Sequence, residues 1–291
     1  MNPIHAKLKI YTNSLTILSV VCIALRLICY LFAYDADLHY FSYSSPLPTI
    51  ADAVLILSLI WAATSLIFLP RNSMRPALPA YSTAAVFAVS LCGFIFLFFA
   101  GRNVIAYFTN GFMPNNFNAY RRDLVLHLLT IFCGLLSAGY FFTALSPACR
   151  KAGWRVLLGF FPVIWSVATL AKVYFDFTHP MNEPTKVTVM LALIAAMLAL
   201  LQELRMLLDR HQPRLALLFH FCAVLLCGIG GLPGMIACAS VPSLTDYADV
   251  FVAITALWLY FIARTFDITR EQLSPAPASD NTSSDESETA E

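Results

Sequence analysis

TILSVVCIALRLICYLFAY, residues 16–34, carries one charge, Arg26, among aliphatic, aromatic and small side chains. A helix needs about 20 largely apolar residues to cross a bilayer's hydrocarbon core. The run around this stretch, 13–34, is that long. Seven more runs qualify: 50–69, 81–100, 124–146, 155–175, 187–208, 214–238 and 249–268. Between them lie segments rich in turn residues, such as SSPLP (44–48), LPRNSMRP (69–76), SPACRKAG (146–153) and HPMNEP (179–184). The chain is therefore expected to be an all-α, polytopic integral membrane protein, a bundle of about eight transmembrane helices.

Composition points the same way. Of 291 residues, 59% are hydrophobic and only 12% charged, about half the roughly 25% charged share of a soluble domain. Mean hydropathy is +0.72. So few charges cannot cover a water-soluble surface. A soluble globular enzyme, a nucleic-acid partner and a disulfide-stapled secreted domain are excluded, and the lipid bilayer is the first partner implied.

The formal net charge of +1 hides an asymmetry. Residues 271–291 hold six acids and no Lys or Arg, so residues 1–270 carry +7. The tail is rich in Ser, Pro and Thr and has too little apolar surface to offset its chain entropy. Two regions are expected: a transmembrane domain, 1–270, and a disordered acidic tail, 271–291, that can recruit a cytoplasmic protein partner. The first helix is not expected to be a cleaved signal, because its apolar run is long and Arg26 interrupts it.

Orientation follows the positive-inside rule. With the N-terminus inside, Lys7, Lys9, Arg71, Arg75, Arg150, Lys151, Arg155, Arg205, Arg210, Arg214, Arg264 and Arg270 are cytoplasmic; Arg102, Arg121, Arg122 and Lys186 are outside. Eight helices then put both termini inside, in a cell membrane of bacterial cytoplasmic type. The outer connections 35–49 and 101–123 read either as interfacial aromatic anchors (Tyr40, Phe41, Tyr43, Tyr107, Phe108, Tyr120) or as lids over a cavity.

Polar residues inside apolar runs are the candidate site. A central Arg costs roughly 2.5–3.5 kcal/mol on insertion scales, so Arg26 needs a partner or a wet cavity. Lys172 and Asp176 are four apart and would pair on one helical face. Asp52 and Asp249 open their helices in the same outer layer. CGIGGLPGM (227–235) makes a poor continuous helix, and unwound backbone near Gly230 would add polar contacts, as broken transporter helices do. Arg26, Lys172, Asp176, Asp52, Asp249 and Gly230 together predict a site for a small polar or anionic ligand. An interlocked structural network is the competing interpretation.

No catalytic, metal or cofactor site is predicted. Asp123 and His127 share a helical face but lack a third ligand. The eight cysteines lie mostly in apolar runs without a CxxC pair, as small packing residues do. No Gly-x-Ser-Gly and no paired-aspartate motif occurs. Glu203 is expected to pair with Arg264 or Arg155, and His220 to be a satisfied bundle histidine. Ala192, Ala196, Ala195 and Ala199 mark the sixth helix as central. A faint repeat, 48–63 against 184–199, would pair two four-helix halves.

Three functions remain: a transporter or membrane subunit of one with a polar outward-facing site; a membrane sensor, scaffold or assembly factor without catalysis; and a membrane enzyme acting on lipid-linked substrates, with His127 and Asp123 its mild candidates. Loss of ligand response in Arg26→Ala, loss of function on deleting 271–291, and loss of activity in His127→Ala respectively separate them.

Overall fold

The structure is a computed structural model; it describes residues 3–36, 38–42, 44–68, 80–110, 120–146, 153–208 and 212–273. The expectations for Tyr43, Cys149, Arg150, Lys151 and the tail beyond 273 lie outside the described residues, as do those for Arg71, Arg75 and Arg210.

Among the described residues, eight helices, each long and apolar enough to span a membrane, form the fold. They are α1 (Pro3–Phe32), α2 (Leu47–Phe68), α3 (Thr83–Asn110), α4 (Tyr120–Thr143), α5 (Gly153–Tyr174), α6 (Pro184–Leu207), α7 (Pro213–Ala237) and α8 (Ala248–Leu273). Proline sits in the first turn of α6 and α7, where its missing N–H costs nothing. A 3-10 turn, Pro242–Tyr247, leads into α8. Between α1 and α2 a short antiparallel hairpin pairs β1 (Tyr34–Asp35) with β2 (Tyr40–Phe41), Tyr34 opposite Phe41.

Helices α3 to α8 pack in sequence order, and α8 closes on α3, so six helices make a ring. α1 and α2 lean on α7 from outside it. Burial follows this plan. The spans of α7 and α8 are each 72% buried and that of α6 61%, whereas α2 is only 22% buried. Ile56, Leu57, Ile60 and Ile67 of α2 face outward, as lipid-facing side chains do. The central place expected for α6 is found: Ala192, Ala195, Ala196 and Ala199 are all buried. The two segments of the faint repeat therefore occupy unlike surroundings, one on the bundle rim and one near its centre.

Three helices outrun their expected bounds. α1 starts at Pro3 rather than 13, because Leu8, Tyr11 and Leu15 form an apolar stripe that packs with Leu217 and Phe221 of α7. α3 continues through 101–110, half of an expected loop, and carries Arg102 to Asp249 of α8. α8 continues past 268, where Thr269 meets Thr12 of α1 at 2.8 Å.

The glycine-rich stretch does not break its helix. α7 is helical through Gly228, Gly230, Gly231 and Pro233. A Cβ on Gly230 would stand 2.6 Å from the Ala192 methyl and 3.2 Å from the Thr188 carbonyl oxygen. One on Gly231 would stand 2.7 Å from the Thr255 amide nitrogen. These glycines let α6 and α8 approach the α7 backbone, the small-residue packing of membrane helices. The unwound backbone expected near Gly230 is thus replaced by a packing contact.

Candidate functional site

The six expected site residues do not meet in one place. Arg26, Asp52 and Gly230 lie among α1, α2, α6 and α7, and Lys172 and Asp249 face a separate cleft inside the ring. Asp176 belongs to the loop after α5, because that helix ends at Tyr174.

Arg26 is buried, with partners on several elements. Its terminal nitrogens donate to the Thr188 hydroxyl at 2.7 Å and the Pro184 carbonyl at 3.2 Å, both on α6. Asp52 on α2 accepts at 3.4 Å, with its side chain 63% exposed. The Phe41 ring of β2 covers the guanidinium at 4.7 Å, so the hairpin acts as a lid over this charge. Arg26 is the clamp that joins α1, α2, α6 and the hairpin. Its Nε carries no hydrogen bond.

The expected Lys172–Asp176 pair is not formed. The Asp176 carboxylate accepts from its own loop, from the Thr178 amide at 3.0 Å and hydroxyl at 2.6 Å. Lys172, in contrast, has neither hydrogen bond nor ion pair among the described residues. It stands exposed at the mouth of a narrow cleft among α3, α4, α5 and α8 with a cavity volume of about 60 Å³. Aromatic Phe96, Phe99 and Trp165 wall the cleft, and Asn103, Thr130, Thr169 and Asp249 supply polar groups. The Thr169 hydroxyl is buried without a partner. Asp249 is held by Arg102. Asp249, Asp176, Arg102 and Asp123 are the charges that act on Lys172.

Beside this cleft, Asp123 is taken by Arg122 at 2.9 Å rather than by His127, which faces Tyr107 with ring centroids 6.4 Å apart. The described cysteines are free, and five of those seven are buried.

At the opposite end of the bundle, Glu203 accepts from the Arg264 Nε at 3.1 Å and Nη2 at 3.3 Å. His220 bridges the same carboxylate, at 3.0 Å, to the Ala216 carbonyl at 2.7 Å. This is the expected Arg264 partnership and the expected satisfied histidine. Arg155 instead donates to the Tyr81 hydroxyl at 2.7 Å, and the Tyr81 ring also stacks 4.1 Å from Arg264.

At the hairpin end, Glu183 is fully buried and receives the Tyr34 hydroxyl at 3.2 Å. Burial pushes its carboxyl above the usual carboxylate range, against the pull of the His179 and His39 imidazoles. Burial and the neighbouring Glu183 both raise the Tyr34 phenol. Sequence reasoning missed this cluster. His179 and Glu183 do show a four-residue spacing in HPMNE, but His39 lies 140 residues away with no local signal.

No family model, no curated protein and no solved structure matches the chain.

Proposed function

We propose that this multi-pass membrane protein binds a small anionic or zwitterionic solute in the cleft among α3, α4, α5 and α8, as a transporter or the membrane subunit of one would. The distribution of basic residues supports an outer hairpin end, and with it an outward-facing cleft. One observation carries the reading: Lys172 lines the cleft with no ion pair of its own. A cation in a membrane span that makes no contact ion pair marks a candidate substrate pathway. The buried Thr169 hydroxyl offers an unused hydrogen bond beside it, and Asp249, fixed by Arg102, offers a counter-charge for an ammonium group.

Thermal unfolding of the purified protein in detergent, against carboxylates, phosphate and amino acids, tests this. A ligand at 100 times its dissociation constant stabilises by about 2.7 kcal/mol. The stabilisation should vanish in Lys172→Gln and persist in Asp52→Asn. A broad panel without any concentration-dependent shift would refute solute binding and favour the sensor or scaffold function.

A further inference from the structure

His39, His179 and Glu183 come from two separate connections at the hairpin end, yet each offers a ligand atom within 4.8 Å of the others. Three atoms in this cluster are out of contact with solvent and make no hydrogen bond: His39 Nδ1, His179 Nδ1 and Glu183 Oε2. The last two face each other at 3.2 Å. Buried polar atoms are almost always paired, so three orphans in one cluster call for a shared partner.

The opposite edges of the ligands are already engaged. His179 Nε2 meets Asp246 Oδ2 at 3.3 Å, and Glu183 Oε1 accepts the Tyr34 hydroxyl at 3.2 Å. A carboxylate on the far nitrogen fixes the tautomer and orientation of a ligating imidazole, the usual outer support of a metal site. Glu183 is also the residue that caps α6, but its side chain makes no capping bond. The nearest buried cation, Lys186, donates instead to the Asp176 and His179 carbonyls. His39 is held at φ 56° in the hairpin turn, with its ring edge-on to His179 and centroids 5.0 Å apart. That left-handed conformation is uncommon outside glycine.

We propose that His39, His179 and Glu183 bind one divalent first-row transition-metal ion, with Zn²⁺ as the first choice. Two imidazoles and one carboxylate make a familiar zinc ligand set that leaves a fourth position open. Bond lengths of roughly 2.0–2.2 Å put tetrahedral ligand atoms about 3.3 Å apart, and the His179–Glu183 edge already has that length. His39, only half-buried, offers the third ligand atom within 4.8 Å of the other two and would draw in on binding. The ion's double charge supplies what the buried Glu183 lacks. The competing arrangement, a protonated His179 between Glu183 and Asp246, leaves the His39 nitrogen idle.

The test uses the full-length, tag-free protein in detergent, stripped with a chelator and titrated with Co²⁺ and then Zn²⁺. One Co²⁺ per chain should bind, with the visible absorption of a tetrahedral site, and Zn²⁺ should displace it. His39→Ala should weaken binding at least tenfold, Asp246→Asn 10- to 100-fold, and Lys172→Gln should leave it unchanged. If His179→Ala fails to fold, His39→Ala on the half-exposed hairpin carries the test, with size exclusion and circular dichroism confirming its fold. Absence of saturable binding, or one-to-one binding that His39→Ala and Glu183→Gln leave intact, would overturn the site. The Lys172 variant keeps this outcome separate from that of the solute cleft.

Discussion

Arg26→Leu should destabilise the protein by about 3 kcal/mol without touching solute binding. The magnitude comes from its partners. The 2.7 Å bond to the Thr188 hydroxyl and the longer 3.2 Å bond to the Pro184 carbonyl, both from Nη2, are charge-assisted; such a bond is worth about 1.5–3 kcal/mol in water-soluble proteins but at most about 1.7 between membrane helices, and the pair contributes about 1.5. The Phe41 ring at 4.7 Å adds about 1 kcal/mol for a partly desolvated cation–π contact. Asp52, with its side chain 63% exposed, adds about 0.5 kcal/mol because water screens it. Thr188 keeps its own 2.6 Å bond to the Pro184 carbonyl, so the substitution strands no hydroxyl. About 3 kcal/mol is roughly a hundredfold in the folding equilibrium. Reversible unfolding in mixed micelles, followed by far-ultraviolet circular dichroism, reads it. The variants should rank Arg26→Leu, then Thr188→Val, then Asp52→Asn, with strong coupling between the first two in a double-mutant cycle. If Asp52→Asn cost as much as Arg26→Leu, the clamp onto α6 would be the wrong account, and the α1–α2 ion pair would hold the charge.

Glu203→Leu or Arg264→Met alone should cost about 3 kcal/mol, since the first leaves buried Arg264 only its 3.4 Å contact with Asp267 and the second leaves buried Glu203 only His220; the double variant should recover part of that loss in the same unfolding assay. Gly231→Val should prevent α7 from seating on α8 and yield aggregated protein on size exclusion, because its Cβ would meet Thr255 backbone rather than a flexible side-chain end. Phe41→Ala should open the lid over Arg26, speeding amide hydrogen exchange in the hairpin while costing no more than about 1–2 kcal/mol in overall stability.

The eight spans were legible because a bilayer imposes one dominant rule, apolar length, that local sequence obeys. The polar partnerships were only partly legible. Glu203 with Arg264 followed from shared depth. Lys172 with Asp176 failed although their spacing is that of a helical pair: α5 ends at Tyr174, which carries Asp176 off the helical face. The stretch at 227–235 was misjudged because glycine weakens a helix in water, whereas between membrane helices it admits a neighbouring backbone. Arg26 and Thr188 are 162 residues apart, and no periodicity links them. The His39 cluster escaped for the same reason: its members sit in connections, where no repeat reveals which side chains converge.

The placement of α1 bears on how the chain is made. This helix precedes the other seven, yet it packs chiefly on α7, which emerges some 180 residues later. In the interval α1 carries a charged residue whose main partner, Thr188, does not yet exist. Asp52, 26 residues after Arg26, is its ion-pair partner and is made long before Thr188. An ion pair that adds little to the finished molecule thus acquires a different role: it can chaperone the nascent helix until α6 and α7 take over the clamp. Asp52→Asn should therefore lower the yield of inserted protein far more than it lowers the stability of the protein that folds.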